Sequence, residues 1–189
     1  LQKKIRATIQ RGNTSAYGLS SLISQAIKID HALNLLETQG ISVLRTYLQK
    51  LRSDPSKAAA SLLDDGKFSN AVFLVEGLFQ EGARHPKMAV LCSVVEKQLR
   101  EKPDSKMIVF ANFRETVREI ASILEGIAKP VMLIGQSEGM SQREQLETIR
   151  KYEQEANVLV TTSIGEEGLS LETADLAVFY EVVPSEIRQ

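Results

Sequence analysis

The 189 residues suffice for one sizeable core or two modest ones, and 43% hydrophobic with 25% charged residues marks a folded globular chain rather than a disordered one. A single cysteine, Cys92, excludes an internal disulfide framework, and one Cys with two His excludes a zinc site built from these residues. The net charge of −1 conceals an asymmetry: residues 1–67 carry ten Lys and Arg against five Asp and Glu, whereas residues 68–189 carry thirteen against nineteen. The first part is therefore a candidate polyanion surface, although an ordinary solvated helical face has the same signature.

No apolar run approaches the roughly 20 residues that span a bilayer. The opening residues LQKKIRATIQR carry no signal-peptide core. The expected setting is intracellular and reducing, with Cys92 a buried small hydrophobe. A start at Leu1 rather than Met leads us to expect a fragment.

In chain order, the first part reads as helix after helix. Leu1, Ile5 and Ile9 share a helical face that Gly12-Asn13 ends. Leu19, Leu22, Ile23, Ala26, Ile27, Leu33 and Leu36 keep helical spacing up to Gly40, and Val43, Leu44, Tyr47, Leu48 and Leu51 form the next stripe. Asp54-Pro55 reads as a cap followed by proline at the first helical position. Asp64 to Lys67 reads as a turn, and Phe68, Ala71, Val72, Val75 and Phe79 as a further helix ending near Gly82.

From residue 85 the pattern changes. Pro86 opens a helix with Val90, Leu91, Val94, Val95 and Leu99 expected on its inner side. Strands are predicted at Met107–Ala111, Val131–Ile134, Asn157–Thr162 and Asp175–Val183. Helices are predicted after Asn112, with Val117, Ile120, Ala121 and Leu124 inward, and from Ser141, where Ser141 and Glu144 make a capping box. Alternation of strands with helices of about a dozen residues predicts right-handed crossovers and a parallel sheet, hence an α/β class for this half. Continuous apolar strands are what a sheet covered on both faces requires. Ligands of such sheets bind beyond the carboxyl ends of the strands, which puts Asn112–Arg114, Gly135–Gly139 and Thr161–Ser170 on one rim.

No complete catalytic set is legible. A GxxxxGK[ST] phosphate loop is absent, and neither His31 nor His85 has a partner at a telling spacing. His31 reads as a partly buried ring and His85 as a cap. The stretch VLVTTSIGEEGLS brings hydroxyls, glycines and two acids to one turn. Backbone N–H groups and hydroxyls in such a turn make an anion-binding concavity, though an ordinary tight turn fits the same letters. Arg114 and Arg118, beside Glu115 and Glu119, can lace an exposed helix. Asn112 can cap it. Gln142 and Arg143 fall in the first turn of a helix, where an arginine is disfavoured by the macrodipole unless an anion is present.

Taken together, KMIVFANFRETV, LIGQSEGMSQREQ and NVLVTTSIGEEGLSLETADLAVFYEVVPSEIRQ resemble motifs IV, IVa and V of a superfamily 2 helicase, in order and spacing. TSIGEEGL and VFYEVVPSEIR resemble in particular the archaeal Hef helicase and the Fanconi anaemia group M translocase. ETQGISVLRTYLQKL, the Lys/Ala-rich helix after it and HPKM resemble the insert this family carries between its two motor domains. The resemblance implies an all-α, thumb-like insert over 1–84 and a RecA-like parallel-sheet domain over 85–189, cut before the motif that supplies the arginine finger. It implies an ATP-dependent motor on branched or forked DNA, with ATP and Mg2+ held in full-length protein between this domain and a first RecA-like domain of the same chain. No tight cofactor, catalytic residue or metal site is expected in this segment, and no membrane partner.

Residue by residue, the resemblance assigns Thr162, with Thr161 and Ser163 beside it, to a nucleic-acid phosphate. It assigns Asn112, Phe113 and Arg114 to the tracking strand, and Gly135, Gln136, Gln142 and Arg143 to the backbone again. Gly165, Glu167 and Gly168 face the nucleotide. Ser170 stands where many relatives carry Asp near the ribose, and Glu166 receives no role. Lys3, Lys4, Arg6 and Arg11, unopposed by any acid in the first eleven residues, are assigned to duplex or fork DNA. The setting implied is cytoplasmic and nucleoid-associated for a Hef-like protein, nuclear for a eukaryotic one. Two rivals remain: an RNA helicase or sensor with a similar insert, and a non-catalytic protein-interaction module.

Overall fold

The computed structural model describes residues 15–135, 139–162 and 174–181. The predicted first helix at Leu1–Ile9, the turn Gly165–Gly168 and the element opening at Pro184 lie outside the described residues. The chain divides into two compact units, Leu1–Arg84 and His85–Gln189.

Among the described residues of the first unit four helices follow one another: α1 (Ser15–Thr38), α2 (Ile41–Arg52), α3 (Lys57–Asp64) and α4 (Gly66–Gln80). Gly40 joins α1 to α2 with φ of 93° and ψ of −167°, a conformation that strains any residue with a Cβ. Ile41, Leu44, Leu48 and Leu51, spaced three and four apart, put one face of α2 into the core, against Ala58, Ala59 and Leu62 of α3 and Val72 of α4. Two expectations need correcting. Ser56, not Asp54, caps α3: its hydroxyl accepts from the Ala59 N–H at 3.2 Å, and Pro55 lies before the helix rather than in its first turn. The stretch Asp64–Lys67 is not a separate turn. Asp65 ends α3 through its N–H to the Leu62 carbonyl, and its carboxylate takes the Lys67 and Phe68 N–H groups at 3.0 Å to open α4. One side chain that serves both helix ends removes the need for a linker.

Two ion pairs tie this unit together. Arg45 Nε meets both Glu76 oxygens at 3.0 and 2.9 Å, joining α2 to α4, while its guanidinium lies 4.2 Å from the Phe79 ring centroid. Lys28 of α1 reaches Asp54 at 2.6 Å. Lys28 and the Ser56 N–H hold the Asp54 carboxyl down to about 2 from an ordinary 3.8. A depressed acid contributes stability that is present above its unfolded value and lost as pH falls through its folded value. Thermal melts of the wild type are therefore expected to lose Tm between pH 3.8 and about 2, a step that Asp54→Asn flattens while lowering Tm at neutral pH.

The second unit runs α5 (Lys87–Glu101), β1 (Met107–Ala111), α6 (Arg114–Leu124), β2 (Pro130–Leu133), α7 (Gln142–Gln154), β3 (Val158–Thr162) and β4 (Leu176–Phe179). The described strands form one parallel sheet in the order β2-β3-β1-β4. Every residue of β1 and β3 is buried, which is why β1 and the first three residues of β3 read as unbroken apolar runs. Because side chains alternate across a strand, Met107, Val109, Val158 and Val160 pack with Met88, Leu91 and Val95 of α5 and with Val117, Ile120 and Leu124 of α6. Ile108, Phe110 and Leu159 face Tyr152 and Ala156 on the α7 side.

The buried line of α5 is Met88, Leu91 and Val95. Val90 is 64% exposed and Val94 is also exposed, against the expectation that both turn inward. Cys92 is only half-buried, at the edge of the core. His85 lies one residue before the N-cap position of α5, which is Pro86, and its Nδ1 accepts from the Lys87 N–H at 3.1 Å, whereas His31 is exposed and meets the Tyr47 ring edge-on. No helix of the described residues is long and apolar enough to cross a membrane.

Candidate nucleic-acid interface at the carboxyl edge of the sheet

All four strands run the same way, so their carboxyl ends share one edge, and the segments that leave them define it. After β1 the chain enters α6 within two residues. Phe113 occupies the N-cap with extended backbone (φ −122°, ψ 135°), and no side chain caps the helix, so Asn112 is not the cap its letter allowed. Asn112 is exposed, and its backbone N–H donates to Glu181 Oε2 at 2.7 Å. Arg114 opens α6 and contacts Glu115 at 3.1 Å, through a side chain 39% exposed. The Glu115 side chain is the more buried partner, 18% exposed.

After β2 comes the buried Gly135, with the Ile134 carbonyl held by Gln145 Nε2 at 2.7 Å. The capping box expected from the sequence is present. The Ser141 hydroxyl accepts from the Glu144 N–H, and Glu144 Oε2 takes the Ser141 N–H at 2.7 Å and its hydroxyl at 2.6 Å. Those bonds hold the Glu144 carboxyl below its ordinary value. Gln142 and Arg143 follow in the first turn of α7, both exposed.

Thr161 and Thr162 close β3, beside Phe110 and Ala111 of β1 in register, and both are buried. The Thr161 hydroxyl donates to the Thr162 carbonyl at 3.0 Å. Gln136, Ser163, Gly165, Glu167, Gly168, Ser170, Lys3, Lys4, Arg6 and Arg11 lie outside the described residues. The described part of the edge thus gathers two helix N-termini and two arginines, Arg114 and Arg143, beside the end of the central strand. Free N–H groups and the positive end of a helix favour an anion, and arginine forks match phosphate oxygens.

One member of this edge escaped the sequence reading. Glu181, just past β4, is 7% exposed. Burial pushes its carboxyl above the ordinary range, against the Asn112 N–H and the charge of Lys87, which pull the other way. An acid closing an apolar strand run was the available signal. The opposite edge is structural: Asp175 takes Lys102 at 2.5 Å and the Lys106 N–H at 2.9 Å, and Lys106 Nζ donates to carbonyls at the end of α7.

A parallel sheet covered on both faces, with anion-seeking groups at its carboxyl edge, defines a RecA-like α/β domain preceded by a helical unit. Residues 86–189 match the family model for the helicase conserved C-terminal domain, and residues 1–78 match that for the helical bundle of a putative ATP-dependent RNA helicase. The chain belongs to the superfamily 2 helicases, as a Hef- and FANCM-like segment carrying the conserved C-terminal domain.

Among solved structures, the helicase domain of Pyrococcus furiosus Hef shares 40% identity at a TM-score of 0.75, covering 98% of this chain and 40% of that one. A Methanocaldococcus jannaschii protein named as a putative ATP-dependent RNA helicase is 40% identical over 91% of the chain. A Neurospora crassa protein named as the ATP-dependent DNA helicase mph1 is 34% identical over 84%. The chain spans 22% and 15% of the lengths of these two relatives.

Proposed function

We propose that this chain is the DNA-gripping half of an ATP-dependent helicase or translocase that works on branched DNA such as stalled forks and Holliday-like junctions in repair. Residues 1–84 act as the insert between two motor domains, and residues 85–189 as part of the second motor domain. Arg114 and Arg143, each in the first turn of a helix at one sheet edge, carry the reading. With Asn112, Phe113, Gln136, Gln142 and Ser163, they contact phosphate and sugar, while the buried Gly135, Thr161 and Thr162 shape that edge from within. Such contacts hold any sequence, as a motor that moves along a strand requires. Lys3, Lys4, Arg6 and Arg11 add non-specific grip from the insert.

Gly165, Glu167, Gly168 and Ser170 form the nucleotide-facing turn of this reading. In this reading Mg2+ would be held with the ATP phosphates on the side of the first motor domain. This chain's share of the chemistry is to bind and orient. The relatives' names divide between RNA and DNA, and the several mph1 relatives named as ATP-dependent DNA helicases support DNA for this reading. The site of action is accordingly wherever the genome lies, nucleoid or nucleus.

A second reading, in which the helical unit docks a protein, is favoured by the exposed Leu19, Leu22 and Leu33 of α1 and by Phe73, which is 75% exposed on α4. The two readings part on whether forked DNA or a protein partner protects this unit from proteolysis.

The chain contains no phosphate loop. Incubated with ATP, Mg2+ and forked DNA, it is expected to release no phosphate above background. DNA-stimulated hydrolysis by the purified chain would contradict the division of labour proposed for it.

A further inference from the structure

Asn112 and Glu181 stand far apart in sequence but meet where β1 and β4 end. The β1–β4 register runs to Phe110 opposite Phe179, and the Tyr180 N–H still donates to the Phe110 carbonyl at 2.9 Å. In a regular parallel ladder the next bond would run from the Asn112 N–H to the Tyr180 carbonyl. Here that carbonyl takes Lys87 Nζ at 3.3 Å, and the Asn112 N–H goes to the Glu181 carboxylate at 2.7 Å. A side chain thus replaces the ladder at the point where the chain leaves the strand for α6.

The arrangement is costly. Glu181 is buried, and its second oxygen, Oε1, has no hydrogen-bond partner among the described residues. Lys87, 4.5 Å from the Tyr180 ring centroid, compensates in part. An apolar residue or an amide would fill the end of β4 without burying a charge. A carboxylate that works against the fold answers a need of the edge rather than of the core. That need is visible in α6, which starts two residues after β1 and has no side-chain cap to set its first turn.

We infer that Glu181 is a positioning residue: by holding the Asn112 backbone it sets the start of α6, and so the place of Arg114, for the nucleic-acid contact. The inference rests on the reading of this edge given above. The test uses the 189-residue chain with Glu181→Ala, Glu181→Gln and, as reference for the edge itself, Arg114→Ala. Asn112 amide exchange is followed by NMR, and affinity for a fluorescein-labelled forked DNA by anisotropy.

Glu181→Ala is expected to speed Asn112 exchange about tenfold and weaken fork binding about fivefold, the scale of one charge-assisted hydrogen bond partly replaced by water. Glu181→Gln, whose amide oxygen still accepts from Asn112, should keep both within about twofold. Glu181→Asp keeps the charge but shortens the side chain, and should share the losses of the alanine variant, which covers the case of poor folding in Glu181→Ala. Unchanged Asn112 exchange in Glu181→Ala, or equal losses in the Gln and Ala variants, overturns the inference. Weakened binding in Arg114→Ala with wild-type binding in Glu181→Ala removes the inference alone. Unchanged binding in Arg114→Ala removes the reading of the edge and the inference with it.

Discussion

Leu159→Ala is expected to lower the stability of this protein by about 3–4 kcal/mol, the usual range for deleting a buried leucine whose surroundings cannot collapse. Leu159 is fully buried as the second residue of β3, an inner strand on which it is flanked by Ile108 of β1 and Val131 of β2 in register. On the α7 side it packs with Phe110, Leu133, Tyr152 and Ala156. Hydrogen-bonded strands on either side keep the backbone from closing over the gap, so the cavity term adds to the lost transfer energy. Urea denaturation should show a lower midpoint with an unchanged slope. Leu146→Ala, on the exposed face of α7, is the control and should stay within about 0.5 kcal/mol. A Leu159→Ala midpoint equal to that of the control would mean the sheet is not packed as described.

The second large effect is functional. Arg114→Ala combined with Arg143→Ala is expected to weaken binding to forked DNA about 10- to 30-fold at low salt, with the midpoint of urea unfolding almost unchanged. Neither arginine supports the core. Arg143 is exposed at the start of α7, and Arg114 is partly exposed beside Glu115, so their loss leaves the packing in place. Two phosphate contacts fewer should also lower the salt slope by about two. A stability loss that matched the affinity loss would assign them to structure instead.

Much of the fold was legible because physics left little choice. β1 and β3 lie between helices on both faces, so β1 and Val158–Val160 of β3 are apolar without a break, and the predicted spans agree with Met107–Ala111 and, one residue shorter, Val158–Thr162. The start of α7 was legible because a capping box is a local, side-chain-to-backbone device that four letters carry. The inner face of α6 followed from period alone, and Val117, Ile120, Ala121 and Leu124 are all buried.

What was missed depends on partners remote in sequence or on one residue with two roles. Val90 and Val94 fit the apolar spacing of α5 yet are exposed, because periodicity gives a face but not its width. Asp65 both ends α3 and starts α4, which a letter-by-letter reading takes for a turn. In the candidate interface, the ends of β1 and β3 and the first turns of α6 and α7 could be anticipated from strand order alone. Glu181 left only an acid at the end of an apolar run as its trace, since its meaning lies in an amide brought to it by the sheet.

The central claim is that this chain holds DNA through its phosphates. The most direct test is the affinity of the 189-residue chain for a forked DNA across a salt series, with an RNA duplex of the same sequence as competitor. Log affinity should fall linearly with log salt, with a slope of several units (about 0.9 per phosphate contact), and the fork should outcompete the RNA. Binding that is absent or insensitive to salt, or that prefers the RNA, would contradict that claim.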